Sequence, residues 1–374
     1  MEKSSMKILV TGANGFIGKN LITELKNRGY NDIFEYSRDM EISLLDTYCQ
    51  KCEFVFHLAG VNRPQNQEEF MEGNFGFTSI LLDLLKKHNN KATVMMSSST
   101  QAALNNPYGR SKKAGEDLMI SYSKETGAKV LVYRFTNVFG KWCRPNYNSV
   151  VATFCHNIAN DLPIKVNDPD ASMNLVYIDD VIVELINALK GKENRNGNFC
   201  EVSNTHTITL GEIAELIKSF KDSRKTLNVP NMANKFEKKL YSTYTSYLPI
   251  DQFSYPLKMN VDNRGSFTEI IRTMDRGQFS INIVKPGIIK GNHWHHTKNE
   301  KFLVLSGKGL IRFRKIGTEE IIDYYVSGDK MEVVDIPVGY THNVINTGVT
   351  DLVIFMWANE PFNPEEPDTY FLEV

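Results

Sequence analysis

Met6-Lys7-Ile8-Leu9-Val10-Thr11-Gly12-Ala13-Asn14-Gly15-Phe16-Ile17-Gly18 is the stretch on which the fold of the first half of the chain turns. A short apolar run ends in three glycines at G-x-x-G-x-x-G spacing, and a helical pattern follows from about Phe16 to Arg28. In that setting Gly12 permits a tight turn and Gly15 lets the backbone approach a pyrophosphate. Gly18 allows helix and strand to pack closely, with the helix N-terminus facing the anion. Asn14, Phe16 and Ile17 complete this candidate cofactor loop. The spacing departs from the plain dinucleotide fingerprint, so the strand and helix on either side carry the argument.

Apolar strand candidates recur at 32–36, 54–59, 93–96 and 129–133, separated by helical patterns at 75–87 and 111–125. This alternation predicts a Rossmann-type α/β fold, a doubly wound parallel sheet with helices on both faces. Residues 141–147 read as a loop, and helices at 150–159, 180–189 and 210–220 read as a substrate lobe. A tyrosine-rich segment of mixed pattern at 236–247 leads to a boundary near 250. Beyond it, short strand-like runs at 265–271, 278–284, 300–305, 309–314, 321–325, 330–336 and 352–357 are punctuated by Gly, Pro or Asn. No long helical pattern interrupts them, which predicts an all-β jelly-roll barrel. The chain thus divides into domains 1–250 and 251–374, as its 374 residues lead one to expect.

A net charge of -1 leaves no polyelectrolyte footprint for nucleic acid or an anionic membrane. Neither a signal peptide nor a membrane-length apolar run is present, so the expected compartment is the cytoplasm. Five cysteines form no disulfide framework, and Cys49-x-x-Cys52 has no second pair with which to hold a metal.

The end of the second strand candidate bears on the cofactor. Glu35 there favours NAD if it reaches the adenosine ribose; Ser37 and Arg38, if they lie there instead, favour NADP. Tyr108 and Lys112 stand four positions apart, hence on one face of a helix, where an ammonium can ease proton loss from a phenol. A hydroxyl from the Ser97-Ser98-Ser99-Thr100 run just upstream can orient a carbonyl.

These residues together resemble the extended short-chain dehydrogenase/reductase family over about residues 6–245. The resemblance implies Tyr108 as general acid or base, Lys112 as the residue that lowers its pKa, and Ser99 as the hydroxyl that polarises the substrate carbonyl. Leu58, Ala59 and Gly60 after His57 are implied at the cofactor, with Asn74 on the following helix. Arg134 and Asn137, and Tyr177 with Asp179 and Asp180, are further marks of the family; Asn137 is implied at the substrate. The chain departs from its relatives after the serine run, where Gln101-Ala102 replaces an acidic or tyrosine-bearing segment. Arg144, with Lys141 close by, is a candidate contact for a nucleotide diphosphate.

In the second half, His293-x-His295 places two imidazoles on one side of a strand, Glu300 follows, and His342 arrives after Pro337-x-Gly339. Three imidazoles and a carboxylate suit Zn²⁺, Fe²⁺, Mn²⁺ or Ni²⁺, with zinc the leading expectation. The spacing from Gly287 through His293, His295 and Glu300 to Gly307 resembles the first motif of the cupin superfamily. The second motif runs from Pro337 to Asn346 but has Met331 where its opening glycine belongs.

Asp262–Glu269 and Lys290-Gly291-Asn292-His293 are similar to the cupin-fold epimerases of 4-keto-6-deoxy nucleotide sugars, which commonly lack metal and use the histidine matching His293 as base. A metal-ligating His293 leaves that work to other groups. Lys290, Tyr340 and Arg264 are then candidates for base, acid and phosphate contact. The pairing of domains resembles the bifunctional capsular-polysaccharide enzymes that make the precursor of N-acetyl-L-fucosamine. That resemblance implies C3 epimerisation, NADPH-dependent reduction at C4 and a homodimer. A 4,6-dehydratase or C4 epimerase with tightly held NAD, and a cupin used only for binding or dimerisation, are the alternatives.

Overall fold

The structure, a computed structural model, describes residues 5–273 and 275–374. The chain falls into two compact units. One runs to Lys218 and resumes over Lys235–Pro249; the other comprises Ser219–Asn234 and Ile250–Val374.

The larger sheet of the first unit is built from β1 (Ile8–Thr11), β2 (Ile33–Tyr36), β3 (Phe54–His57), β4 (Thr93–Ser99) and β5 (Val130–Phe135). They pair in parallel in the order β2-β1-β3-β4-β5, and a short hairpin of Arg195–Asn196 and Phe199–Cys200 extends the far edge. The strands are continuous apolar runs because both faces are buried. Ile8, Val10, Phe54, Phe56 and Tyr133 pack with side chains of helices Phe16–Asn27 and Ile178–Leu189. Leu9, Val55, Val94 and Val132 point the other way, to helices Ile42–Lys51, Phe77–Lys87 and Pro107–Thr126. Strand order reverses between β1 and β3, and the crevice beyond the carboxyl ends of such a pair is where an open α/β sheet binds ligands.

The mixed segment at 236–247 is a helix, Lys235–Thr245. Phe236, Leu240 and Tyr244 recur every four residues and are buried, a stripe that the surrounding lysines and threonines obscured in the sequence. Cys49 lies in helix Ile42–Lys51 and Cys52 caps it; both thiols are free and buried, and burial pushes their pKa values up, that of Cys52 to about 12.

The second unit is two antiparallel sheets. The six-stranded sheet runs in the order Met259–Asp262, Gly265–Thr273, Gly277–Val284, Leu352–Ala358, Glu300–Ser306, Val333–Ile336. The five-stranded sheet runs Ile321–Ser327, Lys308–Lys315, Tyr340–Asn346, Ile289–Trp294, Tyr370–Phe371. Val284, Phe302, Ile354 from the first and Ile311, Phe313, Val344 from the second fill the space between them. The strand expected at 330–336 begins at Val333. In addition, the main chain of Leu227–Val229 hydrogen-bonds along Arg272, an edge contribution that its polar sequence does not announce.

Candidate functional sites

At the end of β1, Gly12 takes φ +70°, and a Cβ there would lie 2.7 Å from the Ala59 nitrogen. A Cβ on Gly18 would lie 2.3 Å from the Gly12 carbonyl oxygen. Both glycines therefore let three backbone segments meet. Helix Phe16–Asn27 starts there with no side-chain cap, so the Phe16 and Ile17 N–H groups face outward without an intrahelical acceptor.

At the end of β2, Glu35 is held by Lys26 at 2.8 Å. Ser37 is buried, and its hydroxyl has no hydrogen-bond partner among the described residues, while Arg38 is exposed. The glycine cradle, the free N–H groups and this orphan hydroxyl fit the adenosine half of a dinucleotide.

Alternation along β4 and its neighbours separates the serines. Ser98 donates to Glu116 at 2.6 Å, and that fully buried carboxylate also holds Arg134 at 2.9 and 2.6 Å. Ser97 donates to the His57 carbonyl at 3.4 Å. Ser99 is left beside Tyr108, to whose phenol it hydrogen-bonds. Gly109 makes the approach possible, because a Cβ there would sit 2.3 Å from the Gln101 carbonyl oxygen and 2.4 Å from that of Leu104. Asn106 caps the helix, accepting from the Gly109 N–H at 2.7 Å, and Pro107 opens it.

One turn on, the buried Lys112 ammonium donates to the Ser97 carbonyl at 3.1 Å and lies 5.9 Å from the centre of the Tyr108 ring. Burial lowers its pKa to about 8, with Glu116 opposing. Burial pushes the Tyr108 phenol up, with only the Ser99 hydrogen bond opposing.

Asn74 is fixed by exchange with Val61, at 2.9 and 3.0 Å, and donates to Ser111 at 3.0 Å. A Cβ on Gly60 would come within 2.8 Å of Asn74 Oδ1 and 3.0 Å of Lys112 Nζ, so the Leu58-Ala59-Gly60 turn lies directly on the helix that carries Tyr108 and Lys112. His57 is buried with a pKa pushed down to about 3; it bonds Thr11 at 2.8 Å and Thr78 at 2.9 Å. Thr78 gives its proton to the Asn74 carbonyl, so it accepts from His57 Nε2. This neutral imidazole ties the glycine turn to Asn74, a role nothing in the sequence marks.

Asn137 is exposed and donates to the Asn174 carbonyl at 3.3 Å. Arg144 is exposed and lies 5.3 Å over the Tyr147 ring, and Lys141 pairs with Asp179 at 2.5 Å.

In the second unit, His293, His295, Glu300 and His342 present ligand atoms all within 4.8 Å of one another. A β-bulge builds the cluster. Gly291 lies so close to the facing strand that a Cβ would meet the Asn343 Cα at 2.9 Å, and Asn292 takes φ +60°. The bulge sets His293 opposite His342 while Lys290 remains opposite Val344, which puts both residues on the inner face. Glu300 Oε2 lies 3.4 Å from His295 Nε2 and 3.5 Å from His342 Nε2. All three atoms are buried without a hydrogen-bond partner among the described residues, as is His342 Nδ1. Burial keeps His293 neutral, lowering its pKa to about 4. Burial opposes ionisation of Glu300, but the two histidines and Lys298 outweigh it and hold its carboxyl well below the usual range. Imidazole nitrogens and a carboxylate oxygen buried without partners fit a divalent cation.

Lys290 donates to Asn282 Oδ1 at 3.0 Å and the Ile283 carbonyl at 2.9 Å, and burial lowers its pKa. Arg264 is paired with Asp262 at 2.7 Å and exposed. Tyr340 is partly buried against the core.

Residues 8–200 match the NAD dependent epimerase/dehydratase family, and residues 260–370 match the polysaccharide biosynthesis C-terminal domain. A Pseudomonas aeruginosa protein named UDP-2-acetamido-2,6-beta-L-arabino-hexul-4-ose reductase is 43% identical over 99% of both chains. The crystal structure of the capsular polysaccharide assembling protein CapF from Staphylococcus aureus has a TM-score of 0.94 and 55% identity, covering 99% of this chain and 100% of that one. A structure of CapF with the inhibitor 3-isopropenyl-tropolone has a TM-score of 0.90 and 51% identity over the same shares. The chain belongs to the NAD dependent epimerase/dehydratase family, joined to a polysaccharide biosynthesis C-terminal domain, and is a nicotinamide-dependent enzyme.

Proposed function

We propose that the chain is a bifunctional nucleotide-sugar enzyme. Its cupin domain, 251–374, epimerises C3 of a UDP-2-acetamido-2,6-dideoxy-4-hexulose. Its reductase domain, 1–250, then reduces the C4 ketone with NADPH to UDP-N-acetyl-6-deoxy-L-talosamine. The observation that carries this reading is the isolation of Ser99 with Tyr108 and Lys112 while Ser97 and Ser98 are engaged elsewhere. The Pseudomonas relative, named for a hexul-4-ose, supports a ketone at C4 as the group reduced.

NADPH supplies the hydride when bound. Ser99 donates to the ketone oxygen, and Tyr108 delivers its proton there as negative charge develops. The burial that raises the phenol's pKa keeps this acid protonated near neutrality. Lys112, fixed on the Ser97 carbonyl, provides positive charge as the phenolate forms. Since Lys26 occupies Glu35, the orphan Ser37 hydroxyl and Arg38 are the groups offered to a 2'-phosphate, which favours NADP. Asn137 and Arg144 are the substrate contacts, Arg144 for the diphosphate.

His293, His295, Glu300 and His342 would hold a divalent cation, zinc by the donor set, which when bound would polarise the C4 carbonyl and so make the C3 proton more acidic. Lys290, with its pKa lowered by burial, is the base, Tyr340 the acid, and Arg264 the phosphate contact. Reduction follows epimerisation because it removes the ketone that makes C3 acidic. We further infer a cytoplasmic homodimer; the free thiols support the former, and exposed Ile321, Ile322, Tyr324 and Tyr325 on an edge strand the latter.

Incubating the protein with UDP-4-keto-6-deoxy-HexNAc and NADPH in D₂O, followed by NMR of the product, tests the proposal. The talo configuration with deuterium at C3 is expected. Reduction without label at C3 would refute the two-step reading.

A further inference from the structure

The loop between His295 and Glu300 is held by a residue seventy positions away. The Asp368 carboxylate accepts the N–H groups of His296, Thr297 and Lys298 at 2.8, 2.7 and 2.8 Å, and the Thr297 hydroxyl at 3.1 Å. Its main-chain oxygen accepts from His295 Nδ1 at 2.5 Å. That bond places the proton on Nδ1 and leaves the Nε2 lone pair free on the side of Glu300. Lys298, carried on the clamped loop, is largely buried and reaches Glu300 Oε1 at 3.3 Å. Oε1 is thereby engaged, and Oε2 is the carboxylate oxygen that faces the histidines.

The clamp is anchored on its own side as well. Tyr370 and Phe371 pair with Trp294 and His293, the Leu372 N–H donates to the Asn292 carbonyl at 3.0 Å, and the Leu372 carbonyl accepts from Thr341.

We propose that Asp368 is the positioning residue of the metal centre: its carboxylate clamps the loop that carries Lys298, which seats its main-chain oxygen on His295 Nδ1 and fixes the one-oxygen presentation of Glu300. This rests on the reading of the four-residue cluster as a metal site. A group that orients ligands in this way is worth roughly 10–100-fold in metal affinity.

The test titrates Zn²⁺ and Co²⁺ into metal-free full-length protein against a chromogenic chelator, for the wild type, His342→Ala, Asp368→Ala and Asp368→Asn. Wild type binds the ion and His342→Ala does not. Asp368→Ala binds it roughly 10–100-fold more weakly, with shifted Co²⁺ absorption bands. Asp368→Asn, which keeps one acceptor oxygen, falls between and can be read even if the alanine variant folds poorly. Thermal unfolding in excess chelator separates the two meanings of Asp368. A lower metal-free Tm with unchanged affinity and unchanged Co²⁺ bands makes it a loop staple only and overturns the proposal, while loss in His342→Ala keeps the metal reading standing. Wild-type protein that binds neither ion overturns both.

Discussion

Lys112 makes the reductive half testable through pH alone. Burial carries its pKa from 10.5 to about 8, whereas burial moves Tyr108 upward from 10.0. The fall in Lys112 corresponds to about 3 kcal/mol against the charged form. Reduction needs both protons in place, the ammonium for its charge and the phenol for its acidity. As pH rises, Lys112 is the first of the two to lose its proton. With saturating NADPH, kcat/KM for the 4-keto substrate should therefore decline about tenfold per pH unit above about pH 8.

Two variants assign that limb. Lys112→Arg carries a guanidinium that stays charged, so its limb, at whatever residual rate, should move up to where Tyr108, raised by burial, loses its proton. Glu116 raises the pKa of Lys112, so Glu116→Gln should move the limb to lower pH. NADPH absorbance read across the pH series is sufficient. A limb that stays near pH 8 in Lys112→Arg would refute the assignment to Lys112.

Tyr108→Phe should lower NADPH oxidation by roughly 10²–10⁴-fold while sparing deuterium exchange at C3, and His295→Ala should lose the exchange while still oxidising NADPH with the C3-epimerised ketone; loss of exchange in the first folded variant, or of NADPH oxidation on that ketone in the second, would break the division of labour. Gly18→Ala forces a Cβ to within 2.3 Å of one backbone oxygen and 2.8 Å of another. It should cost about 1–3 kcal/mol, seen as a lower Tm, and weaken NADPH binding; an unchanged affinity would argue against the glycine cradle as the cofactor site. Arg38→Ala should reduce NADPH affinity roughly tenfold, the value of one charge-assisted hydrogen bond, and leave NADH untouched. Equal loss for both nucleotides would undo the 2'-phosphate assignment.

How far the first site was legible follows from the range of the interactions involved. The glycine turn and the Tyr108/Lys112 pair are local patterns, and helix and strand geometry converts their spacing into position. The serine run could be located but not resolved. Its members are told apart by Glu116 and the His57 carbonyl, which reach β4 from a neighbouring helix and strand. The cofactor reading was likewise open at Glu35, because its partner Lys26 lies nine positions back on a helix. Helix Lys235–Thr245 was missed for a different reason: only Phe236, Leu240 and Tyr244 are apolar among its four buried residues, too few to mark an amphipathic face.

The second site shows the same limit more sharply. All four ligand candidates lie in motif-like spacing and were legible, because strand alternation and one short loop bring them together. What aims them was not. The bulge that turns His293 inward depends on Gly291 approaching the facing strand, visible only once Asn343 is known to be its neighbour. Asp368 lies outside every motif, and the atom it offers to His295 is a backbone oxygen, which has no residue type to recognise. Side-chain chemistry leaves a signature in sequence, whereas the main-chain acceptors that fix tautomer and rotamer leave none. For that reason the conflict over His293, metal ligand or base, could not be decided from spacing. The structure supports the ligand side: the three histidines sit with Glu300 as one donor set, His293 is held neutral by burial, and Lys290 shares its inner face with a lowered pKa. A base is thus available without withdrawing His293 from the cluster, which makes the metal reading and the epimerase reading compatible in a single site.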